Sequence, residues 1–492
     1  MAPSKSGIAF ILDNKITEID FSANDSFKPT TTVLNYLRSL PGHKGVKEGC
    51  AEGDCGACTI VVAELDGRGG LAYKSLDSCL VFLPAIHGKQ LITVENLAIK
   101  KGKEIKLHPV QESMVKKDGS QCGYCTPGVV MSLFALYKTH QNPSREIIED
   151  SLTGNLCRCT GYRPIIDAAT EACGLDGRDH FSENEEEIFS TLQNISEDKT
   201  SIEIYNPEQI FLKPFTIAEA IRLRKEHPDS LIVNGSTDVA LLQTKKKILL
   251  PKILDLSAVD ELKLIVEDHS KIAVGAGTSM EELLQFCETR LPALATILKV
   301  FGSLQIRNVA TLGGNIASAS PIGDTLPLLL VLDTKVRLLA PGRQRELLLS
   351  DFITGYRKTS IEADEILALI IISKPLKNEI IRTYKISKRK DLDISSVSAC
   401  FRLKSDKNNN VAQIKIIFGG MAATALHATK TEDFLLGQSW SRETVEKAME
   451  ILYHEFSPIS DARADEESRR IMAKNLLMKF WIETQESKNH SV

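Results

Sequence analysis

The chain has 492 residues, of which 43% are hydrophobic and 25% charged, ordinary values for a globular protein with about three domains of ~150 residues. Its formal net charge of −4 gives no reason to expect a nucleic-acid partner. No apolar run reaches the ~18 residues of a membrane span, and residues 1–6 lack the apolar core of a signal peptide. We therefore expect a cytoplasmic protein whose eleven closely spaced cysteines bind metal rather than form disulfides.

The first predicted element is a β-hairpin over residues 7–21, where apolar and polar residues alternate on both sides of Asp13 and Asn14. A short helix follows, with Thr31 or Thr32 as its N-terminal cap. Residues 59–63 are rich in β-branched side chains and predict a strand, as do residues 90–94.

A cysteine-rich loop lies between the short helix and the strand at 59–63. Cys50, Cys55 and Cys58 have the C-x4-C-x2-C spacing of a plant-type [2Fe–2S] cluster, and Cys79 supplies a fourth thiol. Glycines in this loop suit a backbone that doubles back and brings N–H groups close to sulfides. A zinc site or a group of buried cysteines is the alternative, although zinc sites usually pair two C-x2-C sequences. We therefore predict a β-grasp ferredoxin domain over residues 7–93.

A second cysteine set consists of two closely spaced pairs: Cys122 with Cys125, and Cys157 with Cys159. The first pair opens a predicted helix that Thr126 can cap, and a second helix is predicted near residues 145–152. Four thiols at helix ends could hold another [2Fe–2S] cluster, because the positive ends of helices favour anionic thiolates. From spacing alone, a zinc knuckle remains the alternative.

Residues 174–205 have low hydrophobicity and no clear period, which predicts a linker whose acidic run at 183–187 is solvated. A helix capped by Thr216 opens the third region. Two later stretches, 231–239 and 301–324, offer glycines and hydroxyl groups that suit a pyrophosphate. Taken alone, such turns are as often plain connections. Because no Rossmann or Walker A sequence is present, any dinucleotide would be bound by another fold.

The last region is predicted as α+β. Strands are expected at 397–403 and 414–418, followed by helices at 443–455 and 466–481. The remaining thiols, Cys173, Cys287 and Cys400, are interpreted as buried and apolar. The basic runs at 245–247 and 388–390 are interpreted as solvated, with a nicotinamide or partner contact as the alternative.

The cysteines lie within three longer strings: Gly53-Asp-Cys55-Gly-Ala-Cys58-Thr59, Gln121-Cys-Gly-Tyr-Cys125-Thr-Pro-Gly128 and Gly154-Asn-Leu-Cys157-Arg-Cys159-Thr-Gly-Tyr-Arg-Pro164. These strings resemble the iron–sulfur domains of the xanthine dehydrogenase/aldehyde oxidase family of molybdenum hydroxylases. The resemblance implies a second domain, a helical [2Fe–2S] bundle, over residues 94–173. It also implies two clusters, one on Cys50, Cys55, Cys58 and Cys79 and the other on Cys122, Cys125, Cys157 and Cys159.

Residues 206–380 resemble the FAD domain of the same family, which has the PCMH-type fold of vanillyl-alcohol oxidase-like enzymes. Residues 381–487 resemble its CO dehydrogenase flavoprotein-like C-terminal domain. The turn at 234–237 differs from the family's more usual Gly-Gly-Thr or Gly-Asn-Thr. By position, the resemblance implies FAD contacts at Ile232, Val233, Asn234, Gly235, Ser236, Thr237, Asp238, Val239, Phe301, Thr311, Asp324, Leu367 and Lys385.

The resemblance also implies a function. Full-length eukaryotic relatives continue into a molybdopterin domain, which this sequence lacks, so the chain resembles the small subunit of the family's two-subunit bacterial members. Electrons would come from a molybdopterin cofactor on a large partner chain, pass through two [2Fe–2S] clusters to FAD, and reduce NAD+. Oxidation of hypoxanthine or xanthine to urate would occur on the partner, so no catalytic side chain is expected here. The resemblance further implies a dimer of such heterodimers.

Two alternatives stay open. A related molybdenum hydroxylase would oxidise aldehydes or other N-heterocycles, because the substrate pocket is expected on another chain. A non-enzymatic redox sensor would use its clusters as switches, although such a sensor has no need of a flavin site.

Overall fold

The computed structural model describes residues 4–22, 26–175 and 177–489. The described residues form two compact units. The first unit contains the residues up to Asp260 together with Ser303–Ala310, and the second contains Glu261–Gly302 and the residues from Thr311 onward. The short segment Ser303–Ala310 therefore belongs to the first unit, although its neighbours in sequence belong to the second.

The N-terminal part of the first unit contains the predicted hairpin and helix. Asp13 and Asn14 have φ values of 53° and 58°, which suit the tight turns that join twisted antiparallel strands. Thr32 caps the helix Val33–Ser39 by accepting the N–H of Asn35. The five strands lie in the order Lys15–Asp20, Gly7–Leu12, Gln90–Ile92, Thr59–Leu65 and Leu71–Asp77.

Helices dominate the next part of the first unit. The helix predicted to begin at Thr126 is confirmed, but its N-cap is Cys125, and the hydroxyl of Thr126 instead lies 2.7 Å from that of Ser120. A small antiparallel hairpin joins Ile99–Lys101 to Glu104–Lys106. The helices are Val94–Leu97, Pro109–Lys116, Thr126–Thr139, Arg145–Leu152, Arg163–Cys173, His180–Glu183 and Glu185–Glu197.

The last two helices correct the prediction of an aperiodic linker at 174–205. Glu185–Glu197 places three glutamates in its first turn, where the helix dipole favours negative charge. Its buried residues, Ile188 and Leu192, are one helical turn apart. Asp179, which caps the preceding helix, is buried against His108 and Lys138. Asp179 thus holds the segment to the helical part, and Ile188 and Leu192 pack against Ile11 of the first sheet. The predicted domain bounds stay a prediction.

A second five-stranded sheet in the first unit joins the N-terminus to the third predicted region. Ser4–Lys5 pairs in parallel with Ser201–Tyr205. One hydrophobic core contains buried residues of both sheets, including Phe10 and Phe211. The predicted Thr216 cap is confirmed, since its side chain accepts the N–H of Glu219. The strands lie in the order Ser4–Lys5, Ser201–Tyr205, Ile210–Lys213, Lys252–Asp255 and Leu231–Val233, with helices Ile217–Glu226, Ala240–Thr244 and Leu304–Arg307.

The second unit contains a five-stranded sheet, a four-stranded sheet and a two-stranded pair of Ile353–Gly355 with Lys358–Thr359. The first has the strand order Ile265–Glu267, Lys271–Gly275, Ile366–Ser373, Lys335–Ala340 and Arg343–Leu348. The second has the order Ile380–Ile386, Val397–Ser405, Val411–Gly419 and Leu426–His427. The strands predicted at 397–403 and 414–418 are thereby confirmed. The helices are Met280–Arg290, Pro292–Leu298, Leu312–Ala317, Leu326–Val331, Leu349–Phe352, Thr429–Leu435, Arg442–Tyr453 and Glu466–Asn489.

Candidate functional site

The four thiols of the first cysteine set come together as two pairs. The sulfur atoms of Cys58 and Cys79 are 3.4 Å apart, and the thiols of Cys50 and Cys55 form a hydrogen bond. Paired thiols suit a [2Fe–2S] cluster, because each of its two irons takes two protein ligands. Within the described ranges, no group of three or more His, Cys, Asp and Glu side chains is placed to hold a metal ion. The arrangement in two close pairs is the one that a [2Fe–2S] cluster requires.

The loop around Cys50 stabilises a thiolate. The backbone N–H groups of Glu52 and Asp54 point at the sulfur of Cys50, over 3.4 and 3.2 Å. Gly53 has a φ of 79°, a left-handed conformation that lets the loop turn back on itself. The hydrogen bond with Cys55 and these N–H groups outweigh burial and lower the pKa of Cys50 to about 5. Since the thiolate is the metal-binding form, this loop fits a cluster ligand.

A buried carboxyl group beside this set was not predicted from the sequence. Asp77 is 2% exposed, and one of its oxygens lies 3.6 Å from the sulfur of Cys58. Burial raises the pKa of Asp77 to about 8, and the charge of Cys50 acts in the same direction. Only the fold brings Asp77 to the ligand, because it lies 19 residues away at the end of a strand.

The second cysteine set also forms two thiol pairs. Cys122 is hydrogen-bonded to Cys159, and Cys125 to Cys157. Cys125 is the N-cap of the long helix Thr126–Thr139, so one thiol lies at the positive end of that helix. Both Cys122 and Cys159 are exposed. The set therefore lies at the surface, where a neighbouring protein could approach it.

The two cysteine sets are joined by direct backbone contacts. The N–H of Leu156, the residue before Cys157, donates to the carbonyl oxygen of Cys55 over 3.0 Å. A Cβ built on Gly128 would lie only 2.0 Å from the carbonyl oxygen of Gly56. The glycines therefore allow two ligand-bearing loops to approach more closely than any side chain would permit.

Asn155 completes this junction from within. Its amide nitrogen donates to the carbonyl oxygen of Gly56 over 3.2 Å, and its amide oxygen accepts hydrogen bonds from Ser132 and Gln305 at 2.6 and 2.9 Å. Asn155 is 2% exposed and Gln305 is fully buried. The sequence strings around both residues were singled out, but the roles of these two amides were missed because their partners are remote in sequence.

The eight predicted flavin residues at 232–239 all lie in the first unit. Ile232 and Val233 end a strand, and Gly235 has a φ of 82° with the carbonyl oxygen of Val309 where a Cβ would be. Ser236 is buried and donates to the carbonyl oxygen of Leu80 over 2.5 Å. The turn is thus closely packed, with Gly235 against the Val309 backbone and the Ser236 hydroxyl hydrogen-bonded to Leu80.

The other five predicted flavin residues lie in the second unit. Asp324 and Lys385 form a buried ion pair of 2.9 Å, and Lys385 also donates to the carbonyl oxygen of Val300, next to Phe301. The hydroxyl of Ser395, which the sequence did not single out, lies 2.5 Å from the Asp324 carboxylate.

Thr311 and Leu367 occupy buried positions in the same unit. Thr311 caps Leu312–Ala317 by accepting the N–H of Gly314 over 3.1 Å. Leu367 lies in the strand Ile366–Ser373 and is 7% exposed. The assignment of all thirteen residues to one FAD site stays a prediction.

A groove of about 640 Å³ lies beside the second cysteine set. The helices Arg145–Leu152 and Arg163–Cys173 flank it, and the loop residues Asn155 and Leu156 form part of its wall. Leu156 is 41% exposed. The groove is thus lined by Leu156, the residue before Cys157, and by Gly161, two residues after Cys159.

Comparisons with known proteins match three parts of the chain. Residues 93–170 match a [2Fe-2S] binding domain, residues 200–375 an FAD binding domain in molybdopterin dehydrogenase, and residues 382–484 a CO dehydrogenase flavoprotein C-terminal domain. The chain belongs to the molybdenum hydroxylase family. The expected multidomain α+β fold, with iron–sulfur and FAD domains, is confirmed.

Similar molybdenum hydroxylases include xanthine dehydrogenases of animals. The chain is 31% identical to the xanthine dehydrogenase/oxidase of Gallus gallus, over 98% of this chain and 40% of that protein. It is 33% identical to the xanthine dehydrogenase of Drosophila pseudoobscura pseudoobscura, over 92% of this chain and 38% of that protein. The chain thus spans well under half the length of these relatives.

Solved structures of similar fold match more than half of this chain. A Cu,Mo-CO dehydrogenase chain matches 55% of this chain and 94% of its own length, with 25% identity and a TM-score of 0.51. Quinoline 2-oxidoreductase from Pseudomonas putida 86 matches 58% of this chain and 99% of its own, with 23% identity and a TM-score of 0.53. In the described ranges no helix has the length and apolar character needed to cross a bilayer.

Proposed function

We propose that this chain is the electron-transfer chain of a xanthine dehydrogenase. It would receive electrons from a molybdopterin cofactor on a large partner chain that oxidises hypoxanthine or xanthine to urate, and pass them to NAD+. The observation that carries this proposal is the pairing of all eight thiols in two sets joined by the hydrogen bond from Leu156 to Cys55. The substrate rests on the relatives named xanthine dehydrogenase.

Each proposed group has a set of residues to hold it. Cys50, Cys55, Cys58 and Cys79 would bind one [2Fe–2S] cluster, and Cys122, Cys125, Cys157 and Cys159 the other. When bound, such clusters supply one-electron transfers, and FAD converts these into two-electron chemistry. The chain's own contribution is to fix the distances, exclude water and set the charge around each group. Asn155 fixes the distance between the two cysteine-bearing loops, because its buried amide is satisfied only when both loops keep their present positions.

The surface of the second cysteine set is the proposed contact with the partner chain. Cys122 and Cys159 are exposed, and a groove is lined by residues next to Cys157 and near Cys159 in sequence. The first cysteine set is more enclosed, because Cys58 and Cys79 are each 2% exposed. Electrons entering from a neighbouring protein would therefore reach the second set first and the first set afterwards.

The native complex provides the test. We expect a purified complex with a large molybdenum-bearing partner, four irons and one FAD for each copy of this chain, and NADH formation that depends on xanthine. If the complex contains the partner and FAD but does not oxidise xanthine, the electron-transfer role stands and xanthine is rejected as the substrate. A chain with iron but without flavin or partner would refute the proposal and favour the redox sensor.

A further inference from the structure

The short helix Ala240–Thr244 ends in a lysine that reaches the first cysteine set. The ammonium group of Lys245 donates to the carbonyl oxygen of Cys50 over 3.0 Å and forms an ion pair of 3.2 Å with Glu52. The contact joins residues 195 positions apart. Lys245, Lys246 and Lys247 are all exposed, as predicted for a solvated run, and Lys245 in addition contacts the first cysteine set.

The same segment touches the first set at its other end. Ser236 donates its hydroxyl to the carbonyl oxygen of Leu80, the residue after Cys79. Ser236 is 8% exposed and has a φ of 56°, so its backbone is held in an uncommon conformation. The segment 236–245 thus binds the loop of Cys50 and the loop of Cys79, one ligand from each thiol pair.

We propose that Lys245 is a positioning residue that sets the reduction potential of the cluster on the first cysteine set. The proposal rests on the proposed function, in that it takes this set as cluster ligands. Reduction of a cluster adds one electron and one negative charge, and no atom is transferred. A fixed positive charge on the ligand loop therefore stabilises the reduced form, while the neighbouring Glu52 opposes it.

The size of the effect follows from exposure. The side chains of Lys245 and Glu52 are 44% and 40% exposed, so water screens both charges. For one charge at a screened surface site we expect roughly a threefold change in the equilibrium constant for one-electron reduction. At 59 mV per tenfold change, this corresponds to about 28 mV. The shift should become smaller as salt concentration rises.

Two single charge-removing variants, their double variant, one charge-preserving variant and one control separate this role from a structural one. Lys245→Gln should lower the reduction potential of the first cluster, which corresponds to an equilibrium constant for reduction about threefold smaller. Glu52→Gln should raise this potential, and Lys245→Arg should keep the wild-type value because it keeps the positive charge. The double variant K245Q/E52Q should lie between the single variants. Lys246→Gln removes the same charge one residue later, from an exposed side chain, and should leave the potential unchanged.

The measurement is an EPR-monitored redox titration of the complete native complex with its iron content determined. The first cluster is identified as the signal lost in a Cys55→Ser variant, and the other cluster serves as an internal reference. Equal potentials in K245Q and K246Q, or equal shifts of both clusters, would overturn the proposal for Lys245 while leaving the proposed function intact. A wild-type complex without a signal that Cys55→Ser removes would overturn both.

Discussion

Gly128 provides a test of the close approach between the two cysteine-bearing loops. It is the third residue of the helix Thr126–Thr139, and a Cβ built on it would lie 2.0 Å from the carbonyl oxygen of Gly56. In an ordinary helix interior, replacing glycine by alanine stabilises by about 1 kcal/mol. For Gly128→Ala we expect the opposite sign, because the new methyl group meets a backbone atom that cannot rotate away.

The magnitude follows from the overlap. Cβ contacts shorter than 3.0 Å are essentially never seen, so the start of the helix must retreat from Gly56 by about 1 Å. Overpacking of this kind costs about 1–3 kcal/mol, against the gain of about 1 kcal/mol from helix propensity. We therefore expect a net loss of about 1 kcal/mol. The same shift moves Cys125, the N-cap of that helix, away from Cys55.

Two measurements check this prediction on the purified complex. Spin–spin interaction between the two reduced clusters, measured by EPR, should weaken in Gly128→Ala because it falls steeply with distance. Denaturant unfolding should show lower stability of the cluster-bearing unit. Gly177→Ala is the matched control, since no atom lies within 4 Å of its added Cβ. An unchanged spin interaction together with unchanged stability in Gly128→Ala would refute the close approach.

Three further predictions concern other parts of the chain. Cys55→Ser should remove one EPR signal and block FAD reduction by substrate but not by NADH; normal substrate reduction in stopped-flow would contradict the route. Asp324→Ala leaves Lys385 buried without its carboxylate, so we expect a loss of about 3–5 kcal/mol and less FAD at unchanged iron; unchanged flavin stoichiometry would remove Asp324 from the site. Burial, reinforced by the charge of Lys5, lowers the pKa of His87 to about 4 from 6.5. As pH falls, the unfolded chain protonates His87 before the folded chain does. The contribution of neutral His87 to the free energy of unfolding is therefore complete above pH 6.5, and up to about 3 kcal/mol of it is lost as pH falls towards 4. An equally steep loss of stability with acid in His87→Gln would contradict this.

Local chemistry explains which predictions of the fold were confirmed. The turn at Asp13 and Asn14 needs two residues with positive φ, and the caps at Thr32 and Thr216 need a side-chain oxygen before a helix. These requirements are met within a few residues, so the sequence pattern reveals them. The helix Glu185–Glu197 was missed because the apolar residues of its buried face are sparse among acidic side chains.

The grouping of the eight thiols into two sets was predictable from the sequence, but their surroundings were not. Cysteine spacing identifies the eight thiols, because each set comes from short segments. It does not reveal that Gln305 supports Asn155 across 150 residues, or that Lys245 reaches Cys50. Such contacts depend on the pairing of distant segments, which no local period encodes. A basic run that contacts a ligand loop has the same composition as a solvated one.

Because Ser303–Ala310 belongs to the first unit, that unit cannot be completed early in synthesis. Gln305 fills space beside Gly154, and Asn308 donates to the carbonyl oxygen of Ser75. All eight thiols have left the ribosome long before these partners exist, since the chain emerges from its N-terminus. If an iron–sulfur cluster were inserted early, the Asn155 amide beside it would still lack its hydrogen bond from Gln305. Only after residue 310 has been made can the first unit close around these thiols.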